Sequence, residues 1–276
     1  MAQITAADVS KLRKITGAGM MDCKKALEEA EGNFESAIEI IRKKGQAVAN
    51  KRADREASEG VVLSTVTDDE KHGAIIVLNC ETDFVAKNEG YVNLAKSILN
   101  VALEQKPANL DELKNLQIDG RAVNDLIVEQ IGIIGEKLDL AYYDFIEAEK
   151  VVAYVHPGNK LASLVGFNQA SFDHQVAKDI AMQVAAMDPV AIDKGDVTPE
   201  RIAKELEIGK EQARNEGKPE EMLDKIAQGK LNKFYKENTL VNQDFVKDNK
   251  MTVGQYLQKT NKNLSVVSFK RYSLNI

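Results

Sequence analysis

Residues able to carry covalent or metal chemistry are few and far apart in this chain. Cys23 and Cys80 form no CxxC pair and no Cys/His cluster, and His72, His156 and His174 fit no HExxH or other metal-ligand spacing. Cys23 lies between Asp22 and Lys24 with no nearby histidine, and Cys80 ends an apolar run, so both read as packed thiols rather than nucleophiles. No GxxxxGK[ST] loop is present. Gly17-Ala18-Gly19 fails the dinucleotide fingerprint because Asp22 takes the third glycine's place, and GxSxG is missing. The sequence therefore predicts no catalytic residue, no bound metal and no cofactor. What remains is binding chemistry.

Two segments carry it. In Gly17-Ala18-Gly19-Met20-Met21, a glycine-flanked loop presents adjacent methionines. Neighbours on a helix point in different directions, so both can hardly be core. An exposed thioether adapts to an apolar partner surface, and Arg13, Lys24 and Lys25 would steer it towards an acidic one. Packing inside a small helical bundle is the competing reading. In the second segment, 79–89, an apolar strand runs into Thr82-Asp83, a helix start, and sets Phe84 in the first turn. Either that ring docks on a partner, or it folds back onto its own strands as a staple.

The elements that position these segments are legible from punctuation and period. Thr5 and Asp8 open a helix carrying Val9, Leu12 and Ile15, and Gly17 to Gly19 break it. A second helix covers 20–30. Asn33 caps a third with Phe34, Ala37, Ile38 and Ile41, which Gly45 is expected to stop. Residues 51–60 read as an exposed helical linker. Two β-branched runs, 61–66 and 73–78, then flank a polar turn as a hairpin, followed by helices built on Tyr91, Leu94, Ile98 and on Val123, Ile127, Ile131. Strand-like runs at 140–146, 151–155 and 161–167 open a second unit, with a helix through Ile180, Val184 and Met187 and a last strand at 264–272. A charged insertion at 196–238 reads as an antiparallel helical hairpin, whose apolar positions Ile202, Leu206, Met222, Leu223 and Ile226 suit its own seam or a homodimer. The fold class is α+β: a three-helix N-terminal domain (1–54) and two core subdomains (55–140 and 141–276) with antiparallel sheets.

Composition agrees with a binding protein. With 37 basic and 43 acidic side chains among 276 residues the net charge is −6, which disfavours a nucleic-acid role. Residues 1–55 hold 11 basic and 8 acidic side chains, so the excess of acid lies beyond them. No apolar run reaches the roughly 20 residues of a membrane span. Residues 1–4 carry no signal pattern, so the expected location is cytoplasmic.

Together the two segments resemble the paired signatures of the elongation factor Ts family. Collinear matches at Ile134-Gly135-Glu136, His156-Pro157-Gly158-Asn159-Lys160, 180–186 and 252–257 extend the resemblance over essentially the whole chain. The resemblance implies a ubiquitin-associated-like N-terminal domain and a factor that promotes GDP release from elongation factor Tu. It also implies roles by position. Thr82, Asp83, Phe84 and Val85 would wedge beside the partner's magnesium site, and Arg13, Gly17, Gly19, Met20, Met21 and Lys24 would grip another helix of its nucleotide domain. Ile134, Gly135 and His156 would make further contacts. The chain departs from the family at Val77, where a Glu is common, and in ending soon after its last strand, where many relatives add a C-terminal helix. A protein-interaction adaptor without exchange activity is the alternative function.

Overall fold

A computed structural model describes residues 4–274. The sequence expectations for residues 1–3 and for the end at Ile276 lie outside them. Three helices come first: α1 (Ala6–Thr16), α2 (Met20–Glu29) and α3 (Phe34–Arg52). Thr5 and Asp8 cap α1 reciprocally, the Asp8 N–H donating to Thr5 Oγ1 (3.2 Å) and the Thr5 N–H to Asp8 Oδ2 (3.0 Å). Val9, Leu12, Cys23, Ala26, Leu27 and Ala37 form the bundle's buried centre. Gly17 takes a left-handed conformation (φ 69°) that lets the chain reverse between α1 and α2.

Gly45 does not end α3, which continues to Arg52 and absorbs the start of the expected linker. The reason lies in α7 (below), on which α3 packs. A Cβ on Gly132 of that helix would stand 2.6 Å from the Gly45 Cα, so the two glycines are a point of closest approach between helices, not a terminator.

The first sheet contains β1 (Glu59–Val66), β2 (His72–Cys80) and, after helices α4 (Asp83–Ala86), α5 (Glu89–Gln105) and α6 (Leu110–Asn115), the short pair β3 (Gln117–Ile118) and β4 (Arg121–Ala122), and α7 (Val123–Ile134), the strand β5 (Leu138–Glu147). All three pair antiparallel, Val62 opposite Val77 and His72 opposite Glu147. The run read from sequence as opening the second unit is thus the third strand of the first sheet. Leu138 and Leu140 on β5 join the helix-covered core of that sheet, which decides the pairing despite the 57 residues between Cys80 and Leu138.

β6 (Lys150–Val155) and β7 (Leu161–Phe167) follow, then α8 (His174–Met187), α9 (Pro199–Asn215), α10 (Glu220–Asn238), the pair β8 (Asp244–Phe245) and β9 (Asp248–Thr252), α11 (Val253–Thr260) and β10 (Val266–Ser273). The second sheet has the order β10-β7-β6. Strand alternation builds layers. Val61, Leu63, Ile76 and Leu78 face α5 and α7, while Val62, Ile75 and Val77 turn towards Val151, Ala162 and Leu164 of the second sheet. Val152, Val165 and Phe167 point the other way, onto α8 and α11. Strands buried on both faces explain the continuous apolar runs in the sequence. Val77 is sealed in the seam between the sheets.

α9 and α10 pack antiparallel as expected for the insertion. Gly209 lets the helices close, since a Cβ there would stand 3.1 Å from the Ala227 Cα. Among the described residues no helix is long and apolar enough to cross a membrane.

Candidate docking site

β2 ends at Cys80 and the chain turns at once into α4, so the loop is held from below by the first sheet. Thr82 is the N-cap of α4, its Oγ1 accepting from the Val85 N–H at 3.4 Å. It is also clamped from the far side of the unit: its N–H and hydroxyl donate to the Glu136 carboxylate at 3.1 and 2.8 Å. Glu81 accepts from the Lys137 N–H (2.6 Å) and from Arg52 Nη1 (3.0 and 3.1 Å). These are charge-assisted bonds at an end that would otherwise fray. The Cys80 thiol is buried and points to the Thr82 carbonyl (3.1 Å); burial pushes it up to about 11, so it stays protonated and inert.

The loop holds Phe84 in the open. The ring is 82% exposed, which excludes the staple reading. Asp83 beside it accepts from Lys87 Nζ at 2.6 Å; that bond holds its carboxyl below the ordinary range. Val85 is partly buried against the sheet core and anchors the turn. Of the four residues, Thr82 and Val85 thus support, and Asp83 and Phe84 face out.

The N-terminal segment presents a second apolar tip. Met20 and Met21 open α2 and are 46% and 63% exposed. Arg13, Gly17, Gly19 and Lys24 are exposed around them, Lys24 within 3.8 Å of Glu28. Ile15, read from sequence as part of the buried face, is 49% exposed and lines a cleft with Ile38, Ile41, Arg42 and Glu129. The i, i+3 step from Leu12 fits both outcomes, so spacing alone did not separate them.

The end of α7 lies between the two tips. A Cβ on Gly17 would stand 3.2 Å from Ile133 Cδ1, while Ile134 packs on the sheet core and Gly135 ends the helix with φ 80°. The next residue is Glu136, the clamp on Thr82. The turn after β6 joins the same end: Lys160 pairs with Glu59 at 2.8 Å, and its charge is felt by Asp83. His156 is exposed on that turn, its Nδ1 hydrogen-bonded to the Tyr154 hydroxyl at 2.9 Å. Glu136, Glu81 and Arg52 are the loop-supporting residues whose bonds sequence reading missed. Their partners lie 29 to 56 positions away, beyond any local pattern.

An exposed ring and two exposed thioethers gain free energy by being covered, which makes this side a candidate docking surface on a protein of mixed α+β architecture. A family model described as Elongation factor TS matches residues 81–275. The elongation factor Ts of Porphyromonas gingivalis is 55% identical over 273 residues, covering 99% of this chain and 98% of that protein. That of Amoebophilus asiaticus is 55% identical over 97% of this chain and 98% of its own length, and that of Chloroherpeton thalassium 43% over 99% of each. The chain belongs to the elongation factor Ts family, a family of translation elongation factors.

Proposed function

We propose that this protein binds elongation factor Tu carrying GDP and promotes release of the nucleotide without covalent chemistry. The observation that carries the reading is the exposed Phe84 ring on a loop clamped by Glu136 and Glu81. Magnesium in a GTPase requires near-ideal octahedral oxygen geometry, so a ring driven in beside it weakens nucleotide binding out of proportion to the displacement. Asp83 orients the approach by accepting hydrogen bonds from the partner's backbone.

Magnitudes decide how many contacts are needed. Weakening GDP a thousandfold requires a coupling of about 4 kcal/mol, and linkage makes it mutual. Burial of one Phe supplies roughly 1.5–3 kcal/mol. The remainder falls to Arg13, Gly17, Gly19, Met20, Met21 and Lys24 at the N-terminal tip and to Ile134, Gly135 and His156 on the core. We read residues 1–54 as the N-terminal docking unit. Because β5 pairs with β2, we place the joint between the two core units after Glu147 instead of at 140.

Mixing the protein with elongation factor Tu loaded with labelled GDP tests this directly. Acceleration of release is expected. Binding without acceleration would instead make the chain an adaptor.

A further inference from the structure

The two tips are built on different units, yet both are fixed to one helix. α3 packs along the methionine-bearing α2, its Lys44 bonded to Asp22 beside Met21, and ends beside the Phe84 loop, where Arg52 bonds Glu81. Its middle is seated on α7 by the Gly45–Gly132 approach, too close for a Cβ on Gly132. Beside that crossing Arg42 bonds Glu129 of α7 at 3.0 Å, and Glu129 is held in turn by Arg121 at 2.7 Å. At its C-terminal end Arg52 grips both oxygens of Glu81, at the root of the loop. Lys137 closes the triangle: its N–H donates to Glu81, and its Nζ donates to the Ala53 and Arg55 carbonyls just past α3, at 2.8 and 3.0 Å. A flexible tether between the units would need none of these bonds.

We propose that α3 is a rigid strut that sets the separation of the Met20-Met21 tip from the Phe84 ring, with Arg52 as the positioning residue that locks it to the loop. This rests on the proposed exchange function, because a fixed separation matters only if both tips engage one partner. A strut converts binding at the N-terminal tip into force at the ring: the partner cannot satisfy both contacts without accommodating the ring. A loose joint would let each tip bind without that demand. Arg52 therefore governs the rate at saturation, whereas Met21 governs the concentration needed to reach it.

The test uses the full chain with spin labels at Lys25→Cys and Glu89→Cys, both exposed positions outside the network; Cys23 and Cys80 are buried and stay in place. The label-to-label distance in the free protein is expected to be narrowly distributed. It should broaden in Arg52→Met, recover in Arg52→Lys, and shift in Gly132→Ala, with the helical content of each variant checked by circular dichroism. In parallel, Arg52→Met should lower the saturating GDP-release rate about tenfold, as misplacement of a working group does, with recovery in Arg52→Lys. A broad distribution in the unmodified protein would overturn the strut, whatever the release data show. So would a saturating rate unchanged in a variant whose distance has broadened. A narrow distance in a protein that releases no nucleotide would contradict the exchange function and leave the strut standing on its own.

Discussion

Phe84 is exposed because the loop backbone on either side of it is held in place. Thr82 and Val85 hold the backbone, so the ring cannot turn in towards the sheet without breaking the bonds to Glu136. Removing an exposed ring should hardly affect folding. Phe84→Ala is expected to change stability by less than about 0.5 kcal/mol in denaturant titration. Glu136→Ala is a different experiment. It leaves the Thr82 N–H and hydroxyl without their charged acceptor and should cost roughly 1–3 kcal/mol while loosening the loop, which hydrogen exchange at Val85 and Ala86 would report. Protection equal to that of the unmodified protein would show that the clamp is dispensable. The sequence singled the ring out as an aromatic in the first turn of a short helix but left docking and a fold-back staple both open; only its exposure in the structure removes the staple. The clamp was not legible, because Glu136 and Thr82 are 54 residues apart and neither type is unusual where it stands.

At the level of elements, glycine was the ambiguous letter. Gly17 reads correctly as a break because it adopts a left-handed backbone, whereas Gly45 looks the same in sequence and serves a helix crossing. Only the partner helix distinguishes them. Strand pairing has the same character: the alternation in β5 announces a strand but not which sheet receives it. A third element-level feature is the tie between α8, the β8–β9 pair and α11. Asp179 on α8 accepts from Gln175 (2.7 Å), Lys247 (2.6 Å) and the Tyr256 hydroxyl (2.9 Å). Burial pushes its carboxyl up, but these three bonds outweigh burial and hold it below its ordinary 3.8. Tyr256 is itself pushed up to about 12 by burial and by this bond, so it remains a donor. A depressed carboxyl stabilises the fold in full above its unfolded value and loses that contribution as pH falls through the folded one. Asp179→Asn should therefore cost about 1.5–3 kcal/mol at pH 7, and the gap should narrow below about pH 4. Denaturant titrations at the two pH values check it; a gap independent of pH would refute the assignment.

For the whole molecule, the layers of helix, sheet, sheet and helix put three loop ends and the strut at one side, while the α9–α10 hairpin stands elsewhere. Ile202, Leu206 and Leu223, which the sequence left open to a dimer, turn into the hairpin's own structure, and its centre is Val197, Leu231 and Phe234. Met222 remains exposed on it. One exposed methionine offers a second copy little to bury against the 1,200 Å² or so that a stable interface requires. Sedimentation at about 10 µM should accordingly give the mass of a single chain, 30.5 kDa; a mass twice that, lost in Met222→Glu, would assign the hairpin to self-association.

On the proposed function, the exposed Phe84 ring drives nucleotide release in a bound partner. The most direct test is stopped-flow release of labelled GDP from elongation factor Tu at saturating concentrations of the protein and of folded Phe84→Ala. A maximal rate at least about tenfold lower is expected for Phe84→Ala, the loss of roughly 1.4 kcal/mol of coupling. Equal maximal rates would contradict it.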